Sequence, residues 1–142
     1  MLHWRPELNT GDPDIDREHQ EIYSKLNEIG EAIRKHDSPE VISQLIAVLQ
    51  HYSNAHFRRE ERAMSCSRCP MHGANCAAHA YFSERLKIWM TIISSSGLPV
   101  SLLEDIHEET CRWIEQHIEK IDTSLKEENR ESQQPWFLRF SA

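Results

Sequence analysis

The sequence predicts an all-α protein, an antiparallel up-down-up-down four-helix bundle, and three observations carry that expectation. Apolar residues recur three or four positions apart in four separate stretches, the period of an amphipathic helix. Only four glycines interrupt 142 residues, and the long stretches mix Glu, Lys, Gln, Leu, Ile and Ala without the alternation of strands. The connections are short, so each helix should run antiparallel to the one before it.

From Asp16 to about Lys35, the residues Ile22, Leu26, Ile29 and Ile33 define the apolar face of helix one. Ser38-Pro39-Glu40 supplies an N-cap followed by proline at the first helical position, where its missing amide proton costs nothing. Helix two runs from there to about Met64, and Ser65 to Cys69 breaks the pattern. Pro70 then opens helix three, which carries Tyr81, Phe82, Leu86 and Trp89 and stops at Ser94-Ser95-Ser96-Gly97. Pro99 opens helix four, whose apolar residues run from Leu102, Leu103 and Ile106 through Trp113, Ile114 and Ile118 to Ile121 and Leu125. The bundle is assigned to residues 1–128, and residues 129–142 form a polar, then aromatic, tail. Trp136, Phe137 and Phe140 of that tail are read as folding back onto the bundle, with docking of a protein partner as the alternative.

The length fits one domain with one core. A formal charge of −7 with no dense basic run argues against a nucleic-acid partner. Residues Met1 to Thr10 lack a basic-then-apolar leader, and the apolar stretch around Ile88 to Ile93 is too short to span a bilayer, so a soluble cytoplasmic protein without membrane contact is expected. In that compartment the four cysteines are reduced thiols or metal ligands rather than disulfides. Nine histidines in so short a chain require an explanation.

Every helix offers a candidate ligand. Helix one carries Ile15-Asp16-Arg17-Glu18-His19, and helix two carries His56-Phe57-Arg58-Arg59-Glu60-Glu61, in which His56 and Glu60 share one face. Helix three carries His79 followed by Phe82, and helix four carries Trp113-Ile114-Glu115-Gln116-His117-Ile118, with Asp122 five residues beyond His117. A lone histidine is more often a satisfied core or surface side chain than a ligand, but coincidence across four helices is far rarer. Imidazoles and two carboxylates in a bundle core can surround a pair of divalent metals, and that donor set suits iron while also admitting zinc or manganese. His3, His36, His51 and His107 lie off these motifs and are read as surface residues, and Cys111 as a small buried hydrophobe.

The order I-D-x-x-H, H-F-x-x-E-E, H-x-x-F and W-I-x-x-H-I-x-x-x-D, from about Trp4 to Asp122, resembles the hemerythrins, especially the single-domain bacterial ones. The resemblance implies two irons per chain, bridged by Glu60 and Asp122, with His19 and His56 on an iron that keeps an open position for dioxygen. Trp113 and Ile114 would wall the dioxygen pocket. The second iron of the family takes three histidines, of which this chain matches His79 and His117, and Asn75 stands at the place of the third. His72 is the candidate replacement, although its seven-residue gap to His79 spans roughly 10.5 Å of helix against about 6 Å for a four-residue pair. Otherwise Asn75 offers a weak amide oxygen or leaves the place to water, and the second metal is held less firmly.

A second departure is Cys66-x-x-Cys69-x-x-His72-x-x-x-Cys76, three thiols and an imidazole that could close a tetrahedral zinc site or act as a redox cluster. The plain alternative is a set of reduced thiols near a loop. The leading expectation is a dioxygen carrier, store or sensor rather than an enzyme. Its rivals are a di-iron enzyme that reduces dioxygen or peroxide, and a metal or thiol redox sensor built on the cysteine cluster.

Overall fold

The structure is a computed structural model that describes residues 1–95 and 98–126. The described residues form α1 (Pro13–Arg34), α2 (Pro39–Cys66), α3 (His72–Ile93) and α4 (Val100–Lys120), with short 3-10 turns at Pro6–Leu8 and Asp122–Ser124 and no strand. The aromatic tail lies outside the described residues.

Two helices start at the same chemical signal. Ser38 caps α2 by accepting from the amide of Val41, with Pro39 at its first position. Asp12 does the same for α1, accepting from the amides of Asp14 and Ile15 ahead of Pro13, so this helix begins three residues earlier than its apolar period suggests. Both α1 and α2 end in a Schellman pattern. The amide of Asp37 donates to Ala32 and that of Cys69 to Met64, each after a residue in the left-handed region, His36 (φ 58°) and Arg68 (φ 56°). The Schellman motif brings its last residue onto the helix it closes, which is why Cys69 is buried beside Met64. The loop therefore delays α3: Pro70 lies in the turn, and the helix opens at His72 rather than at the proline.

The helices pack as an antiparallel up-down-up-down four-helix bundle. Neighbours in sequence lie against each other and α4 returns to α1, while the α3–α4 seam is the thinnest. Ile22, Leu26 and Ile29 of α1 meet Ile46 and Leu49 of α2, Leu86 and Trp89 of α3, and Ile114 and Ile118 of α4, all essentially removed from solvent. Each such aliphatic side chain contributes about 1.5–3 kcal/mol by burial. A smaller apolar cluster of Ile15, Met64, Cys69 and Leu125 closes one end. Antiparallel order puts the starts of α1 and α3 and the ends of α2 and α4 at that same end, so His19, His56, Glu60, His79 and His117 are brought together from four helices.

His107 is the side chain that the sequence misplaces. It is half-buried between α1 and α4, where its Nε2 lies 2.7 Å from the Leu26 carbonyl oxygen and its ring occupies the space above Gly30. His3, His36 and His51 are exposed.

Candidate metal centre

Glu60 is the hub of the site. It is wholly buried, and its two oxygens face opposite ways. Oε2 lies 2.9 Å from His19 Nε2 and 3.2 Å from His56 Nε2, whereas Oε1 lies 3.0 Å from His79 Nε2 and 2.8 Å from Asn75 Nδ2. Asp122 divides itself in the same manner, with Oδ2 3.2 Å from His19 Nε2 and Oδ1 3.1 Å from His117 Nε2. It reaches this place because the chain leaves α4 at Ile121 and turns inward through the 3-10 segment Asp122–Ser124.

Two ligand groups result. The donor atoms of His19, His56 and Glu60 lie within 4.8 Å of one another, and so do those of Glu60, His79, His117 and Asp122. Glu60 belongs to both, which is the arrangement of a carboxylate between two ions. A buried polar atom ordinarily has a hydrogen-bond partner. Here Nε2 of His79, Nε2 of His117, Oδ1 of Asp122 and Oδ1 of Asn75 have none, although the imidazoles lie close to carboxylate oxygens. The shared deficit of His79, His117 and Asp122, which stand in one ligand group, fits a cation that those three surround.

Outside the cage, two further carboxylates orient the imidazoles. His56 Nδ1 lies 3.2 Å from Glu18 Oε1, and His79 Nδ1 lies 3.3 Å from Glu61 Oε1, so each ring turns its Nε2 inward. Arg59 pairs with the other oxygen of Glu18. Sequence reasoning did not single out Glu18 or Glu61. Each adjoins a candidate ligand in sequence, yet pairs with an imidazole on another helix. Asp16, in contrast, accepts from the amide and hydroxyl of Thr10, at 2.6 and 2.9 Å, and fixes the N-terminal arm rather than the cage.

Aromatic rings sheathe the site. Phe57 stacks on His79 at 3.8 Å between centroids, and Trp113 lies parallel to His117 at 5.0 Å and also stacks with Phe82. Ile114 is buried beside them. Burial pulls the His19 pKa down, but hydrogen bonds and charge from Asp122 and Glu60 outweigh it and lift it to about 10. Burial alone would raise the Glu60 pKa, and its contacts with His19, His56 and His79 hold it well below the usual carboxylate range.

The cysteine cluster does not assemble as a ligand set among the described residues. Cys66 is exposed, Cys69 is buried with its sulfur 3.3 Å from Ser124 Oγ, and Cys76 sits 3.6 Å from His72 Nε2. Neither the thiols nor His72 enter the two groups described above. Asn75 does line the cage, donating to Glu60 and to the Met64 sulfur at 3.3 Å. Cys111 is half-buried beside His107, and burial pushes its thiol up to about 11.

Four helices that present imidazoles around shared, buried carboxylates define a carboxylate–histidine metal-binding bundle. Residues 10–128 match the family model described as the hemerythrin HHE cation binding domain, and the chain belongs to that family. It is similar to a bacteriohemerythrin of Pseudomonas aeruginosa strain LESB58, 26% identical over 135 residues that cover 92% of this chain and 83% of the relative. It is also similar to a bacteriohemerythrin of Stenotrophomonas maltophilia strain R551-3, 27% identical over 135 residues that cover 90% and 81% respectively. No helix among the described residues is long and apolar enough to cross a membrane.

Proposed function

We propose that this chain is a non-haem di-iron protein that binds or senses dioxygen, with a second iron position altered by Asn75. The observation that carries the reading is the pair of buried carboxylates, Glu60 and Asp122, each turning one oxygen to each of two imidazole groups. Two negative charges shared between two divalent cations neutralise half of the positive charge of the site in a dry interior. Iron, when bound, would supply electrons to dioxygen.

The residues have distinct parts. His19 and His56 would hold one ion with Glu60, and His79 and His117 the other with Glu60 and Asp122. Glu18 and Glu61 keep the two outer imidazoles in the tautomer that presents Nε2 inward. Phe57, Trp113 and Ile114 exclude water from the cage. Asn75 acts on Glu60: its amide holds Oε1 by a hydrogen bond where a third imidazole would bind the metal directly. The second ion is then less tightly held and more open to exchange.

Element-resolved metal analysis of protein purified under exclusion of air tests the reading. Two irons per chain and uptake of one dioxygen per chain support a carrier or sensor. Absence of iron, or a single zinc in its place, removes it. Asn75 favours a second outcome, steady consumption of dioxygen in excess of protein, which would make the centre an enzyme that reduces dioxygen. Asn75→His should raise iron occupancy and slow autoxidation, and unchanged values would show that Asn75 does not set the behaviour of the centre.

A further inference from the structure

The thin seam between α3 and α4 leads from the cage to solvent through aromatic rings. His117 lies parallel to Trp113 (5.0 Å between centroids, 5° between planes), and Trp113 lies 5.9 Å from Tyr81, whose side chain is 50% exposed. Phe82 also stacks with Trp113, at 5.1 Å between centroids. Tyr81 and Trp113 line a surface cavity of about 170 Å³ together with Arg85 and Arg112. Indole and phenol are the two aromatic side chains that give up an electron readily, and phenylalanine is not.

We propose that Trp113 and Tyr81 form an electron path from the surface to the His117 side of the metal centre, through which the protein survives an encounter with hydrogen peroxide. The proposal rests on the iron reading above. Hydrogen peroxide takes up two electrons, delivered by the path, and two protons, drawn from solvent, and leaves as two waters. The path delivers the electrons singly: Trp113 passes one inward through His117, and Tyr81 refills Trp113. Each electron that leaves Tyr81 is accompanied by its phenolic proton, which goes to water. A soluble one-electron reductant of the ascorbate class returns the electron, and water returns the proton.

The opposite side of the cage reaches the surface through the half-buried Trp4 and, among the described residues, offers no exposed phenol to refill it. Trp4 lies 6.1 Å from His19, and its other ring neighbour, Tyr23, is buried with a hydroxyl that has no partner. A phenol without an acceptor cannot release its proton, and burial, its main influence, already raises the pKa of Tyr23. Tyr81 has solvent as its acceptor. Trp89 is remote from the centre, with His107 rather than a cage imidazole as its ring neighbour.

The test loads the full chain with iron(II) under argon, measures iron content, adds two equivalents of hydrogen peroxide, the first consumed in oxidising the two iron(II) ions and the second left to draw on the path, and freezes the sample for electron paramagnetic resonance. Oxidised side chains are then mapped by peptide mass spectrometry. A tyrosyl signal that disappears in Tyr81→Phe, with oxidation shifting to Trp113, is the expected result. In Trp113→Phe, Tyr81 oxidation should fall at least tenfold at equal iron content, and ascorbate should suppress the products in the parent protein. Full iron content with oxidation at Trp4 or Tyr23, or a tyrosyl signal unchanged in Tyr81→Phe, overturns the path alone. Failure to load iron overturns the path and the iron reading together. Should Trp113→Phe not fold, the Tyr81→Phe comparison decides.

Discussion

Replacing Gly30 by alanine sets two effects of opposite sign against each other. Inside a helix, alanine is favoured over glycine by about 1 kcal/mol, so propensity alone predicts stabilisation. The structure predicts the reverse, because a Cβ on Gly30 would lie 2.5 Å from Cε1 and 2.9 Å from Nε2 of His107. His107 would have to move, and with it goes the 2.7 Å hydrogen bond to the Leu26 carbonyl, which is worth about 0.5–1.5 kcal/mol net. Forcing the ring out of its place against Trp89 adds an overpacking cost of about 1–3 kcal/mol. Gly30→Ala should therefore destabilise the protein by about 1–3 kcal/mol, a drop in Tm of roughly 3–10 °C for a chain of this size. Urea titration followed by far-UV circular dichroism gives the value directly. In a His107→Ala background the clash is gone, and the same Gly30→Ala change should turn neutral or stabilising. A rise in stability from Gly30→Ala in the parent protein would refute the close approach of α1 and α4 on which the placement of His19 relative to His117 depends.

Glu60→Gln removes the carboxylate common to both ligand groups, so metal analysis should find iron lost from both positions and not from one. Glu18→Gln should weaken metal binding by about tenfold to a hundredfold without abolishing it, because the His56 ring keeps an amide oxygen as outer acceptor but loses the negative charge beside it, and competition with a chelator measures the change. In chelator-treated protein the two shifted groups set the pH limits of stability. The pKa of His19 is raised from 6.5 to about 10, so its contribution is complete below pH 6.5 and is lost as the pH climbs through 10. The pKa of Glu60 is lowered from 4.5, so its contribution is complete above that value and is lost on acidification through the lower one. Thermal melts from pH 3 to 11 should show a plateau with an alkaline fall. If His19→Gln keeps the same alkaline fall, His19 is not its source.

Much of the fold could be read because its signals are local. The Ser38-Pro39 cap and the three-to-four spacing of Ile22, Leu26, Ile29 and Ile33 depend only on near neighbours, and both appear as helix in place. The start of α3 could not be read so easily, since Pro70 is a good first helical residue in isolation. What displaces it is the left-handed turn at Arg68 that buries Cys69 against Met64. That turn also gives Cys69 a packing role which the C-x-x-C spacing disguises. His107 looked like a surface residue because nothing near it in sequence reveals its partner. The clue was Gly30, a glycine in the middle of a helix, which admits something bulky from another element. For the cage, spacing identified side chains that share a face, but the division of Glu60 and Asp122 between two imidazole groups is a matter of tertiary geometry. Glu18 and Glu61 went unnoticed for the same reason, since their imidazole partners lie on other helices.

The break at Ile121 limits how this centre could be transplanted. In an uninterrupted helix each residue turns the chain by about 100°, so a position five residues on points roughly 140° away from the first. His117 and Asp122 nonetheless face one another at 3.1 Å, because the backbone departs from α4 at Ile121. A designer who copied the ligand spacing onto a straight helix would send the carboxylate to the outside of the bundle. The graft must either carry the broken turn with it or move the carboxylate one residue closer to the histidine.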